Sequence, residues 1–170
     1  MRPGVFFATT SLFIIAAACD SSACAELEAN KELVRQFTQA TNAADWEALA
    51  AVVSEDFTRH SAATAGPPVT SREAFVELQE SFLVSLPDQH VTIQKLVAEG
   101  DLVAGLATYS GTHTGPMGDI PPTGLPVEMP FMALFRIESS QIVELWVEWD
   151  NVAMLTQLGL FPPPAPESPN

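Results

Sequence analysis

Between residues 26 and 43 the apolar side chains Leu27, Leu33, Val34, Phe37 and Ala40 recur at helical spacing among charged and polar neighbours. That period predicts an amphipathic helix with one buried face. Ala44-Asp45 breaks the pattern ahead of Trp46 to Val53, a second short helix. Pro67-Pro68 marks a loop, and Thr70-Ser71-Arg72-Glu73 has the spacing of a capping box. It introduces a third helix that turns Phe75, Leu78, Phe82 and Leu83 inward.

After Pro87-Asp88 the period changes from helical to alternating. His90 to Ala98, Leu102 to His113, Val127 to Ile137 and Gln141 to Trp149 read as strands, with tight turns at Gly100-Asp101 and Ser139-Ser140. Neighbouring strands joined this closely pair antiparallel. Asp150 precedes Val152, Leu155 and Leu158, which marks it as the N-cap of a short last helix. Helices first and a meander second predict an α+β fold, with three N-terminal helices laid on one face of a curved antiparallel sheet. Residues 26–160 make one domain, and the proline-rich tail 161–170 is expected to be disordered.

Ahead of this domain, Val5 to Ala18 is an apolar run behind Arg2, shorter than the roughly 20 residues that a bilayer span needs. A basic start, an apolar middle and a small-residue end describe a secretory leader over residues 1–18, so the protein is expected to be exported. Two cleavage sites compete. Ala16-Ala17-Ala18-Cys19 resembles a lipoprotein box, with Cys19 lipidated, residues 19–25 a polar tether, and membrane contact only through that anchor. Ala23-Cys24-Ala25 instead fits small-x-small cleavage before Glu26, which would free the protein into the periplasm or the medium.

Composition narrows the partners. The full chain carries a formal charge of −14, and removing Arg2 with the leader leaves six basic residues against 21 acidic ones. Such a chain repels phosphate backbones, which excludes nucleic acid as a partner. The two cysteines lie five apart in the polar leader region, where a bridge would close almost nothing, so no structural disulfide is expected. The three histidines are too widely spaced for a metal site, and no cofactor is expected.

From Lys31 to Gly159 the chain resembles the SnoaL-like polyketide cyclases, often labelled ester cyclases, within the ketosteroid-isomerase-like group. The resemblance rests on "LVRQFTQATNAADWEALAAVVSEDFTRH", "GTHTGPMGDIPPTGLPV", "LFRIESSQIVELWVEWD" and "MLTQLG", found together in that order. It implies an α+β cone whose concave face carries the three helices and whose open end holds an apolar pocket. It also implies a homodimer through the outer sheet face, where Met132, Leu134 and Trp146 fall. In the antibiotic-pathway members, an acid on the last strand and a histidine on the strand before it move a proton beside a carbonyl. Aligning Arg136-Ile137 with the family's Arg-Ile puts Ala133 at the histidine and Val147 at the acid, and Leu145 where many relatives have histidine.

Alternation puts Met129, Phe131, Ala133 and Phe135 on one face with Leu145, Val147 and Trp149, an apolar wall suited to a small apolar molecule. Candidate chemistry then falls to His113, Glu148 and His60. His113 ends a strand beside a long Pro-Gly loop, either as proton donor or acceptor or as a pin for that loop. Glu148 alternates away from the wall unless a bulge turns it inward. His60 matches a recurrent histidine of the family and would orient a substrate, unless it is simply a solvated loop residue. The enzyme expectation is proton transfer on a carbonyl or ester compound. The competing expectation is a binding protein without chemistry, since Ala133, Leu145 and Val147 are apolar.

Overall fold

The computed structural model describes residues 21–64 and 68–161. The leader, the expected anchor at Cys19 and the tail beyond residue 161 lie outside the described residues.

Helix α1 (Ser21–Ala43) buries Val34, Phe37, Ala40 and Thr41, the face that its periodicity predicts. It starts ahead of the expected Glu26. Residues 21–25 are all exposed, so this extension rests on helix propagation and the propensity of its alanines rather than on burial. Cys24 within it is disulfide-bonded, which corrects the expectation of no disulfide. Loop length governs how much a bridge stabilises, not whether two close sulfurs join.

Helix α2 (Trp46–Val52) starts at Asp45, whose carboxylate accepts from Ala48 N at 3.0 Å. Strand β1 (Val53–His60) follows at once, where the sequence suggests a helix end and a loop. Val53 and Phe57 are its fully buried apolar residues. Two such positions are too few to show a period, and pairing rather than local pattern makes this segment a strand. Helix α3 (Arg72–Ser85) is capped by Ser71, which accepts from Ala74 N at 3.1 Å, one residue after the expected Thr70. Phe75 is buried in the core, while Leu78, Phe82 and Leu83 are half-buried.

Strands β2 (His90–Glu99), β3 (Leu102–Thr112), β4 (Pro126–Glu138) and β5 (Gln141–Trp149) complete a five-stranded curved sheet in the order β1-β5-β4-β3-β2. The meander is antiparallel throughout, but β1 lies parallel to β5, so the sheet is mixed. Helix α4 (Asn151–Gln157) is the last element among the described residues, with Asp150 accepting from Val152 N and Ala153 N at 2.9 and 3.0 Å.

Two bulges shape the inner face. The β2–β3 register slips between Ile93 and Lys95, leaving Gln94 as the extra residue. The β4–β5 register slips between Arg136 and Ile137, leaving Val143 as the extra residue. Each bulge bends and twists its strand, which curls the sheet around the helices. Side chains of α1, α3 and the concave sheet face then share one core, in which Phe75 stacks on Phe37 and meets Phe57 edge-on.

Asp88, in the turn between α3 and β2, ties down the far end of β3. Its carboxylate accepts from Thr112 N and Thr112 Oγ1, both at 2.7 Å. These bonds, the hydroxyl's foremost, hold the Asp88 pKa below its ordinary 3.8 despite some opposing desolvation. A folded-state value below the unfolded one stabilises the protein fully above the unfolded pKa, and that contribution disappears as pH falls through the folded value. Asp88→Asn should therefore flatten the loss of stability from about pH 4 downward, measured by denaturant midpoints. Parallel pH profiles for variant and wild type would contradict this.

Candidate binding cavity

The concave face of the sheet and helices α1 and α3 enclose a cavity of about 450 Å³. Sheet, helices and loops all contribute apolar walls: Val34 and Phe37 from α1, Phe75 from α3, and the inward row of the sheet. Met129, Phe131, Ala133, Phe135, Leu145, Val147 and Trp149 all stand on that wall, as alternation predicts. Across β4 and β5 they face one another as Phe131–Trp149, Ala133–Val147 and Phe135–Leu145.

Polar groups interrupt this lining at few points, and most are committed. Asn42 pairs both its amide atoms with the backbone of Val91. Asn151 accepts from Trp149 Nε1 and donates to Ala63 O, which fixes the indole. Thr38 and Thr41 donate back into their own helix, and Ser85 reaches Ser81 O and Pro116 O. Tyr109 donates to Gln89 Oε1 at 2.8 Å, and burial, followed by the charge of Asp88, raises its pKa. Among the described residues, the one charged side chain on the wall is Arg59, only 5% exposed, with Nη2 donating to Thr64 Oγ1 and its guanidinium 5.8 Å from the Trp149 ring centre. Burial lowers the pKa of Arg59, and the charge of Glu148 works in the opposite direction.

None of the three candidates for proton transfer lines the cavity. Glu148 is exposed and accepts from Ala62 N and Ala63 N at 2.6 and 3.1 Å, bracing the turn after β1 from outside. The bulge that would have turned it inward lies instead at Val143, and this keeps Glu148 outward. His60 ends a strand rather than sitting in a loop. It stacks on Trp146 with ring centres 5.2 Å apart and bonds Glu144 Oε1 at 2.7 Å, and Glu144 in turn is held by Arg136. Desolvation pushes the Glu144 carboxyl upward, but the bonds from His60 and Arg136 prevail and its pKa lies below the ordinary value.

His113 is wholly buried at the base of the Pro-Gly loop. Its backbone pairs with Leu125 O and Gly124 N, and its Nδ1 accepts from Thr123 N at 3.3 Å. An acceptor at Nδ1 puts the ring proton on Nε2, which has no partner among the described residues. The loop is latched a second time where Gly115 N donates to Ser85 O. A Cβ at Gly115 would stand 1.8 Å from Val84 O, so only glycine fits there.

Sequence reasoning missed Arg59, Gln79, Gln89 and Tyr109 as the polar points of the cavity. For Arg59 the signal was present. Once residues 53–60 are a strand, an inward Phe57 makes Arg59 inward and His60 outward.

His113 as a loop pin has a measurable consequence. His113→Ala should lower stability by about 1 to 3 kcal/mol, since it removes the wholly buried ring and leaves the half-buried Thr123 N–H without that acceptor. His113→Asn, which offers an oxygen near the place of Nδ1, should recover part of that loss. An alanine variant with the wild-type denaturation midpoint would remove the pin.

A family model described as SnoaL-like polyketide cyclase matches residues 31–158. No curated protein matches the chain significantly. Among solved structures, IdmH of Streptomyces antibioticus, described as a proposed polyketide cyclase, is 35% identical with a TM-score of 0.70, over 76% of this chain and 98% of its own. AclR of Streptomyces galilaeus, described as a proposed hydroxylase, is 27% identical with a TM-score of 0.70, over 81% of this chain and 89% of its own. A protein of Jannaschia sp. CCS1, described as a proposed SnoaL-like cyclase, shares the fold at 23% identity and a TM-score of 0.71, over 80% of this chain and 94% of its own. Taken with the curved sheet, the helices on its concave face and the enclosed apolar cavity, these matches show that the chain belongs to the SnoaL-like polyketide cyclase family.

Proposed function

We propose that this chain is an exported binding protein that holds a small, mainly apolar molecule in its cone without performing proton transfer on it. The observation that carries this reading is the cavity wall itself: no aspartate, glutamate or histidine stands on it among the described residues. A general base must come within hydrogen-bond reach of the proton it takes, directly or through one water. The positions that would carry the family's acid and histidine are filled by Val147 and Ala133, and these two face each other across β4 and β5. A cavity of about 450 Å³ falls within the range of small-molecule sites, roughly 300 to 1,000 Å³.

The competing reading is an enzyme of the cyclase or isomerase class, with His113 as acid or base, Glu148 as its partner and His60 orienting the substrate. Its support is the family membership and the cyclase description of IdmH. The same fold in AclR carries a hydroxylase description, so the fold alone does not choose a reaction. Export counts against a biosynthetic role and rests on the leader sequence. Finding the native protein in the cytoplasm with residues 1–18 attached would contradict it.

A neutral fluorophore such as N-phenyl-1-naphthylamine tests the binding site directly. Ala133→Phe puts a ring into the cavity opposite Val147 and should weaken dye binding at least about tenfold, worth 1.4 kcal/mol, while circular dichroism stays unchanged. Equal affinity in a folded variant would mean that the dye binds elsewhere.

We further propose that a second copy covers the outer sheet face. Met132 is 64% exposed there, beside half-buried Leu134 and Trp146. A contiguous apolar face on a soluble protein points to a partner surface. Met132→Glu should convert a dimer to a monomer in light scattering. A monomeric wild type at millimolar concentration would contradict the proposal.

A further inference from the structure

Arg59 is the most buried of the arginines described and the least compensated. Arg35 and Arg136 each contact a carboxylate, and Arg72 donates to the carbonyls of Ala50 and Val53. Arg59 has no carboxylate within ion-pair distance among the described residues. It has one hydroxyl, on Thr64, and the face of Trp149. The nearest acid influence comes from Glu148, but both its oxygens are engaged by Ala62 N and Ala63 N on the outer side of the turn. A guanidinium cannot shed its charge by deprotonation in the physiological range. Held on an apolar wall with its nearest acid, Glu148, beyond ion-pair distance, it is an attraction for an anion.

Two neutral amides also line the cavity. Tyr109 holds the Oε1 of Gln89, so the amide's free end is its NH₂, and Nε2 is buried without a partner. Gln79 is 8% exposed, lines the same cavity and makes no side-chain hydrogen bond among the described residues. Among the described residues the lining therefore combines one guanidinium with neutral amides and hydroxyls, and no ionised acceptor stands on it. The charge is single, because Arg59 has no second cation beside it on the wall among the described residues. One planar fork of donors suits a carboxylate, which it can bind through two parallel hydrogen bonds, better than a doubly charged phosphate ester.

We propose that the ligand of the cavity is an amphipathic monocarboxylate, its apolar body against the sheet wall and its carboxylate on Arg59. This inference rests on the binding reading above and adds the chemical class of the ligand. The net charge of −14 on the whole chain makes Arg59 all the more necessary, since the surrounding field disfavours any anion.

The test is displacement of N-phenyl-1-naphthylamine from the mature protein at neutral pH by decanoate and by decan-1-ol. Both have the same chain, and only one carries a charge. Wild type should bind decanoate at least tenfold more tightly than the alcohol. Arg59→Gln should abolish that preference by weakening decanoate binding at least tenfold, with decanol unchanged within about twofold. If Arg59→Gln does not fold, Arg59→Lys serves: it keeps the charge but loses the fork, and the preference should shrink without vanishing. Decanol bound as tightly as decanoate by the wild type overturns the carboxylate proposal while leaving the binding reading in place. So does a preference that survives at full size in both variants. Failure of the neutral dye to bind at all overturns the binding reading and this inference together.

Discussion

One extra residue in β5 decides which side chains reach the cavity. Gln141 and Ile142 leave the tight turn paired with Glu138 and Ile137, a register that, if continued, would set Glu144 opposite Phe135, Trp146 opposite Ala133 and Glu148 opposite Phe131. Two carboxylates and an indole would then share the inner face with the core. Val143 is left out of the ladder instead, and from Glu144 onward the strand is shifted by one. Ile142 and Leu145 are then both buried, Leu145, Val147 and Trp149 line the cavity, and Glu144, Trp146 and Glu148 go outward. In a sheet with a two-residue period a slip of one exchanges the faces completely.

What the outward residues then do is also set by that slip. Glu144 gains Arg136 and His60 as partners, and Trp146 gains the His60 ring. Glu148 gains the two amides of the turn that carries Ala63 and Thr64, and Thr64 is the residue that receives Arg59. The acid that sequence alone offers as a catalytic partner thus works from outside the wall, shaping the turn against which Arg59 is held inside. An apolar lining raises the electrostatic weight of every group left within it, so one guanidinium counts for more there than it would in water.

Much of the fold is legible in the sequence because long stretches of it obey one period. The four strands of the meander and the helices α1 and α3 each carry enough apolar positions to show whether the spacing is helical or alternating. The cavity row from Met129 to Phe135 and from Leu145 to Trp149 follows from the same alternation. β1 is not legible, because Val53-Ser54-Glu55-Asp56-Phe57 has only two core residues and becomes a strand through its parallel pairing with β5. That gap hid Arg59, whose inward direction depends on the strand, and it made His60 look like a free loop residue. His113 is ambiguous for another reason: a histidine beside a Pro-Gly loop reads the same whether it moves a proton or accepts a hydrogen bond from the backbone N–H of Thr123.

The central claim is that the cone is an apolar chamber on whose wall, among the described residues, Arg59 provides the one charge and no aspartate, glutamate or histidine stands. A crystal structure of the protein purified from its native host, with whatever molecule it has retained, tests that claim most directly. The account predicts an elongated apolar molecule along the inner face of β4 and β5, with an oxygen-bearing end within about 3 Å of the Arg59 guanidinium. It also predicts that Glu148 and His60 remain outside the wall. A ligand whose reactive carbon lies against an inward-turned Glu148 or His113, with Arg59 directed away from it, would contradict the account.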